Sequence, residues 1–123
     1  MGDRGRASEL RQEIGRLVRE LSRLSQELLR PRRMMAGSLA ERHLGTRNQK
    51  RAAAAFYLSW AEQGRTHLVY VPQAQVEEVR RQVEAWREYR ETLRRWWEGV
   101  ERLWGLWREL GEVQQEPRRK ESG

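Results

Sequence analysis

Two long segments of this chain repeat apolar side chains at alternating spacings of three and four residues. The first segment extends from about Ser8 to Arg30, and its seam consists of Leu10, Ile14, Leu17, Leu21, Leu24 and Leu28. This spacing places the apolar residues on one face of an α-helix and is typical of a coiled-coil seam. Pro31 ends the helix, because proline disfavours a helical residue before it and has no amide proton to donate. The segment therefore predicts a helix that packs on a second helix.

The second segment begins at Pro72 and extends to about Glu112. Its apolar stripe is interrupted by Arg90 and consists of Val76, Val79, Val83, Trp86, Leu93, Trp97, Val100, Trp104 and Trp107. Gly99, Gly105 and Gly111 each cost a helix about 1 kcal/mol relative to alanine. We predict one long tryptophan-rich helix over residues 72–112, with a break near Gly99 as the alternative. Residues 1–7 and 113–123 are predicted to be disordered.

The residues between the two segments are predicted to form a small sheet. Phe56–Trp60 and Thr66–Val71 are rich in aromatic and β-branched residues, and Gly64 lies in the loop of residues 61–65 between them. Such a pattern predicts a β-hairpin with a longer loop. Residues 37–43 are a candidate third strand with few apolar residues. The predicted fold class is mainly α (α+β), a long antiparallel helical hairpin or coiled coil with a small β-hairpin inserted between the helices.

The simplest folding of such a chain leaves the end of the second helix without a partner. If Leu28 lies beside Val76 in an antiparallel pair, Leu10 reaches only the region of Arg94. Three tryptophans would then remain on an exposed apolar surface that is large for a monomer. We expect a homo-oligomer, or docking of a protein partner, through Trp97, Val100, Trp104, Trp107 and Leu110. In the alternative, the helix breaks near Gly99 and folds back on the first pair.

Nearly all of the excess positive charge lies in one short stretch. The net charge of the chain is +7, and residues 30–51 contain seven arginines and lysines but only one acidic residue, Glu41. Arginine side chains bind phosphate oxygens in a bidentate geometry, so this stretch is a candidate contact surface for DNA or RNA. The predicted nucleic-acid-binding residues are Arg32, Arg33, Arg42, Arg47, Lys50 and Arg51. A merely solvated loop and an acidic protein partner are the alternatives.

Aromatic residues of the predicted hairpin could add stacking contacts with bases. The candidates are Phe56, Tyr57, Trp60 and Tyr70, and each could instead belong to the core. Because side chains alternate along a strand, Tyr57 and Trp60 are expected on opposite faces, and only one of them can contribute to a given stacking surface.

Composition argues against several other classes of protein. The chain has no cysteine, so a disulfide scaffold, a thiol nucleophile and a cysteine-ligated metal are excluded. His43 and His67 lack the spacing of metal ligands, and Asp3 is the only aspartate. We therefore predict no catalytic residues, no metal site and no cofactor. No apolar run approaches the ~18 residues of a membrane helix, and the first residues lack the apolar stretch of a signal peptide, so we expect a soluble, cytoplasmic protein.

Several motifs of the chain resemble those of a family of small bacterial and archaeal proteins, some encoded near transposase-like genes. The motifs are Gly37-Ser38-Leu39, the aromatic strand around Phe56-Tyr57-Leu58-Ser59, and the hairpin return Val69-Tyr70-Val71-Pro72 before a long helix. The resemblance covers roughly residues 33–95 and implies a strand, a loop, a hairpin and a helix in this order. The family carries cysteines in its loop, around a Cys-Gly-Lys-Pro-like element, whereas this chain has basic residues at 44–51. A metal-binding role for that loop is therefore not expected here.

These observations lead to two expected functions. The first is a non-enzymatic nucleic-acid-binding protein that contacts phosphates through residues 30–51, as an accessory of a mobile element or a subunit of a nucleoprotein complex. The second is a structural or adaptor coiled-coil protein that oligomerises, or docks a protein partner, through its tryptophan-rich helix.

Overall fold

The structure, a computed structural model, describes residues 3–44 and 53–115 and confirms the predicted fold class. The chain forms two long helices, α1 (Asp3–Leu29) and α2 (Val76–Gln114). A small antiparallel sheet lies between them in the sequence. Its strands are β1 (Ser38–Leu44), β2 (Ala53–Glu62) and β3 (Arg65–Val71), and a single 3-10 turn at Gln73–Gln75 leads into α2. Contacts divide the chain into two compact units, Met1–Arg30 with Thr92–Gly123 (the helical unit) and Pro31–Glu91 (the sheet unit).

Several predicted boundaries change. Helix α1 starts five residues before Ser8, so residues 3–7, which we predicted to be disordered, are helical. Helix α2 continues through all three of its glycines to Gln114, so the predicted alternative of a break near Gly99 is wrong. Residues 113 and 114, which we also predicted to be disordered, belong to α2. The predicted disorder of residues 1–2 and 116–123 lies outside the described residues. No helix in the described part of the chain has an apolar stretch long enough to cross a membrane.

In the helical unit, the seam of α1 packs against residues 96–113 of α2. Leu10 is fully buried, and it forms a cluster with Ala7, Ile14, Leu106 and Leu110. Gly99 permits the close approach of the two helices, since a β-carbon at this position would lie 2.6 Å from Cδ2 of Leu21. The indole nitrogen of Trp96 donates a hydrogen bond of 2.9 Å to the hydroxyl of Ser25.

Ion pairs along one flank show the register of the two helices. They are Arg6–Glu109, Glu13–Arg102 and Glu20–Arg95, and the residue numbers of each pair add to 115. In our prediction Leu28 lies beside Val76, and these residue numbers add to 104. The predicted register is therefore wrong by eleven residues, or about three helical turns. The physical reason is that the first half of α2 packs on the sheet, so the seam of α1 has the second half as its partner.

The sheet has the order β1-β2-β3, and both pairs of neighbouring strands are antiparallel. The candidate third strand is therefore present as β1. The hairpin between β2 and β3 is tighter than predicted, because Glu62 pairs with Arg65 and only Gln63 and Gly64 form the turn. Both turn residues have positive φ, 52° and 75°. This is the backbone of a two-residue type I′ turn, whose twist matches that of the strands.

Apolar residues of the sheet pack on the first half of α2. Val71 on β3 and Val76, Val79 and Val83 form a buried cluster. The partly buried residues packed against this cluster are Met35, Leu39, Phe56 and Leu58. A hydrogen bond of 3.0 Å from the amide of Met35 to the carbonyl of Gln82 joins the segment before β1 to α2. A third strand and packing on one apolar helix face give this sheet the stability that an isolated two-stranded hairpin lacks.

Candidate nucleic-acid interface

The pairing of the strands divides the sheet residues into two faces. The inner face packs on α2 and includes Leu39, Phe56, Leu58 and Val71. The residues that alternate with these form the opposite face, which we call the outer face. Its members are Ser38, Ala40, Arg42, Ala55, Tyr57, Ser59, Ala61, Thr66, Leu68 and Tyr70. Arg42, Leu68 and Tyr70 are exposed there, Tyr57 is half-buried, and the small Ala55 is buried.

A basic and aromatic cluster forms the centre of the outer face. Tyr57 pairs across the strands with Tyr70, and the two rings meet edge to face with centroids 5.8 Å apart. The guanidinium carbon of Arg42 lies 5.6 Å from the centroid of the Tyr57 ring, which is within cation–π distance. The side chain of Tyr70 is 58% exposed. Tyr57 is thus held between two neighbours, and Tyr70 offers a ring to the solvent.

The distribution of charge between the two faces favours an anionic ligand on the outer face. Among the described strand residues, the carboxylates are Glu41 and Glu62, and both belong to the inner face. The outer face contains Arg42 and no carboxylate in the part of the sheet that the structure describes. An aromatic surface with positive charge and no competing negative charge can contact both the bases and the phosphates of a nucleic acid.

The structure brings only some of the predicted phosphate-binding residues to this face. Arg42 lies on it, near the end of β1. Arg33 is exposed and Arg32 is half-buried, and both belong to the segment between α1 and β1, at the other end of that strand. Three further predicted residues, Arg47, Lys50 and Arg51, lie outside the described residues, in the segment that connects the paired ends of β1 and β2.

The candidate stacking aromatics separate as the alternation of side chains requires. Tyr57 and Tyr70 lie on the outer face, whereas Phe56 packs in the core of the sheet unit. Trp60 lies on the inner face and stacks on His67, with centroids 5.3 Å apart. Among the described residues, no group of three or more potential ligands is placed to hold a metal ion.

The predicted oligomer interface is partly buried within the chain. Leu110 belongs to the core with α1, so its assignment to the interface is wrong, for the same reason that the predicted register is wrong. Trp97, Trp104 and Trp107 are 56%, 67% and 52% exposed. They lie with the exposed Leu93 and the half-buried Val100 on one stripe of α2, which we call the tryptophan stripe. Val18 on α1 is 44% exposed, because it lies outside the seam that packs on α2. It is an exposed apolar residue that the predicted interface does not include.

Comparison with known proteins gives one match. Residues 7–81 match the model of a domain of unknown function, DUF6788, and this range covers most of α1, the sheet and the start of α2. No curated protein and no solved structure matches the chain. Since the matched residues are more than half of the chain, the protein belongs to the DUF6788 family.

Proposed function

We propose that this protein is a non-enzymatic nucleic-acid-binding protein that holds a single strand of DNA or RNA on the outer face of its sheet. The observation that supports this function is the cluster of Arg42, Tyr57 and Tyr70 on a face without described carboxylates. The strands on either side of the basic segment 45–52 both contribute to this face. We place the protein in the cytoplasm, as an accessory of a mobile element or a subunit of a nucleoprotein complex.

Each group of the cluster has a role in this proposal. The exposed ring of Tyr70 stacks on a base, and the edge-to-face contact with Tyr57 fixes its orientation. The guanidinium of Arg42 binds a phosphate while it stays over the ring of Tyr57. A single strand suits this face better than a duplex does, because the bases of a duplex already stack on one another and are not available to a tyrosine ring.

Basic residues between β1 and β2 in the sequence supply most of the electrostatic attraction. Arg47, Lys50 and Arg51 follow β1 in the sequence and are proposed to bind successive phosphates. If about four to six phosphates are neutralised, the logarithm of the affinity for a single strand falls with the logarithm of salt concentration with a slope of about −3 to −4. Contacts of this kind are directed at the backbone, so we expect little sequence specificity.

The test is fluorescence anisotropy with labelled single- and double-stranded DNA and RNA over a series of salt concentrations. Tyr70→Thr keeps the β-propensity of strand β3 and removes the ring. Because stacking on an aromatic ring contributes about 1–3 kcal/mol per base, we expect about 5- to 150-fold weaker binding of a single strand. The matched control is Val69→Thr on the same strand, since Val69 is also exposed but belongs to the inner face.

Charge variants test the contribution of the arginines. Arg42→Gln should weaken binding, whereas Arg81→Gln, which removes an equal charge from an exposed ion pair with Glu78 on α2, should not. Neutralising Arg47, Lys50 and Arg51 together should reduce the single-strand salt slope by about 2, because three phosphate contacts are lost. Equal affinities of wild type, Tyr70→Thr and Arg42→Gln would exclude the outer face as the binding surface.

We propose self-association through the tryptophan stripe as a second function, with a second copy of this chain as the occupant. The observation that favours it is the exposure of Trp97, Trp104 and Trp107 on the side of α2 away from the ion pairs with α1. A fully exposed tryptophan presents up to about 250 Å², so the three side chains together expose roughly 400 Å². That is about half of the 800 Å² that each partner of a stable complex buries, and Leu93 and Val100 extend the same stripe.

The oligomeric state tests this second function. Light scattering coupled to size-exclusion chromatography should show that the wild type is at least a dimer and that the double variant Trp104→Ser, Trp107→Ser is a monomer. The control is Leu29→Ser, since Leu29 is an exposed leucine on the other helix, at the end of α1. A double variant that stays as oligomeric as the wild type would show that the stripe is not the interface.

A further inference from the structure

Helix α2 packs on the sheet with a stripe of apolar residues, and the next residue along this stripe is an arginine. The stripe repeats at spacings of three and four residues and consists of Val76, Val79, Val83, Trp86 and Arg90. The three valines are buried against the sheet. Trp86 is half-buried and Arg90 is exposed, so the stripe changes from a core to a surface within the sheet unit.

A cleft lies beside Trp86 and Arg90, where the stripe of α2 passes from buried to exposed residues. Its volume is about 380 Å³, which is within the range of small-molecule sites of about 300–1,000 Å³. The cleft is lined by residues of the sheet and the segment before it and by residues of α2, among them Gly37, Ser38, Ser59, Trp60, Trp86 and Arg90. We call it the tryptophan cleft. Ser38 and Ser59 line the cleft and also belong to the outer face, so the cleft shares two residues with the proposed binding surface for a nucleic acid.

The two aromatic rings of the cleft are held in place before any ligand binds. Trp60 stacks on His67, with an angle of 18° between the ring planes. Trp86 stacks on Tyr89 one turn later in α2, with centroids 5.8 Å apart and an angle of 23°. Fixed rings lose little conformational entropy when they stack on a planar ligand. The cleft is therefore preorganised for a flat aromatic group.

Arg90 differs from the arginines that precede it on the same helix. Arg80, Arg81 and Arg87 each form an ion pair with a glutamate three residues before them. Within residues 3–44 and 53–115, the side chain of Arg90 makes no ion pair or hydrogen bond. Its guanidinium is thus available at the cleft and can bind a phosphate with two hydrogen bonds.

We infer that the tryptophan cleft binds a nucleotide, with its base against Trp60 and Trp86 and its phosphate on Arg90. This inference rests on the proposed function in one respect, because one source of the nucleotide is a unit of the bound strand, turned out of the stack. A free mononucleotide has the same chemistry and is the other source. Ser38 and Ser59 also line the cleft, and a serine can both donate and accept hydrogen bonds at the edge of a base.

Calorimetric titration of the full chain with AMP, adenosine and ribose 5-phosphate tests the inference. AMP should bind at least about tenfold more tightly than either fragment, because only AMP uses both the rings and the guanidinium. Arg90→Gln should lower the affinity for AMP to that for adenosine. The matched control is Arg87→Gln, which removes the same charge from an ion pair with Glu84 and should leave the affinity for AMP unchanged.

A single-stranded oligonucleotide of about eight residues distinguishes the two sources. Weaker binding of both AMP and the oligonucleotide by Arg90→Gln would show that a base of the strand occupies the cleft. Weaker binding of AMP alone would show that the ligand is the free mononucleotide. Failure of AMP to bind, or equal affinities of wild type and Arg90→Gln, would overturn the inference. If the oligonucleotide still binds the wild type, and binds Tyr70→Thr more weakly, the proposed function stands without the inference. If the oligonucleotide does not bind the wild type, the proposed function itself is refuted.

Discussion

Gly37 immediately precedes β1, and its replacement by alanine should strongly destabilise the sheet. The φ angle of Gly37 is 137°, in the region that favours glycine. A β-carbon at this position would lie 2.6 Å from the carbonyl oxygen of Ser59 and 3.1 Å from Cδ1 of Leu58. The oxygen is part of the backbone of β2 and cannot rotate away as a side chain can. The substitution therefore combines backbone strain with a steric overlap.

Each of the two effects has a typical magnitude. A residue other than glycine held at such a φ costs about 1–3 kcal/mol. Overpacking against atoms that cannot move away costs about 1–3 kcal/mol more. We expect Gly37→Ala to lower the free energy of unfolding by about 2–6 kcal/mol, a large part of the 5–15 kcal/mol that stabilises a typical domain.

Gly64 provides the control that separates the two effects. Its φ is also positive, 75°, but no atom lies within 4 Å of the position that a β-carbon would occupy. Gly64→Ala should therefore cost only the backbone strain, about 1–2 kcal/mol.

The assay is urea denaturation of the wild type and the two variants, followed by circular dichroism and tryptophan fluorescence. Agreement of the two probes would justify the use of a two-state free energy. The expected result is a clearly larger loss for Gly37→Ala than for Gly64→Ala. Equal losses would refute the argument that the carbonyl of Ser59 makes this glycine necessary.

Three further predictions concern the helices and the turn. Leu10→Ala should lower the free energy of unfolding by about 2–5 kcal/mol in a thermal or chemical melt, because Leu10 is fully buried, and a loss below about 1 kcal/mol would contradict the packing of α1 on α2. Gln63→Asn should raise stability by up to about 1 kcal/mol, because asparagine adopts the positive φ of a type I′ turn more readily than glutamine does; unchanged or lower stability would argue against that turn. The hydrogen bond from Arg23 lowers the pKa of Glu20 below its ordinary value of 4.5, so the ionised carboxylate stabilises the folded state above that pH, and this contribution is lost as the pH falls through the lower folded pKa. Circular dichroism between about pH 6 and 2 should show a smaller loss of stability for Glu20→Gln than for the wild type, and parallel curves would contradict it.

The secondary structure could be predicted from the sequence because its signals are local. A seam such as that from Leu10 to Leu28 needs only its own spacing to indicate a helix, and Pro31 ends that helix by its covalent structure. The alternation of Tyr57 and Trp60 between faces likewise follows from the geometry of a single strand. The length of the turn at Gln63–Gly64 was missed, since glutamine is not among the residues typical of a type I′ turn.

The register of the two helices could not be predicted in the same way. A seam with a period of seven residues makes similar apolar contacts after it slides by seven residues, so the seam alone does not select one arrangement. The correct arrangement depends on contacts between distant segments, such as Leu21 against Gly99 and the pair Glu13–Arg102. The spacing of α2 does not reveal these contacts, and it therefore predicts an exposed position for Leu110, which is buried.

Spacing, proline and charge act over a few residues, and for this reason the sequence predicts the two helices, the basic stretch between them and the pair of aromatic strands. Which half of α2 covers the sheet and which half covers α1 is visible in the folded chain alone. That choice buries Leu110, leaves Trp104 on the surface and places Arg90 at a cleft with Trp60. The physical reason is that burial depends on which segments compete for the same apolar face, and this competition involves residues that are far apart in the chain.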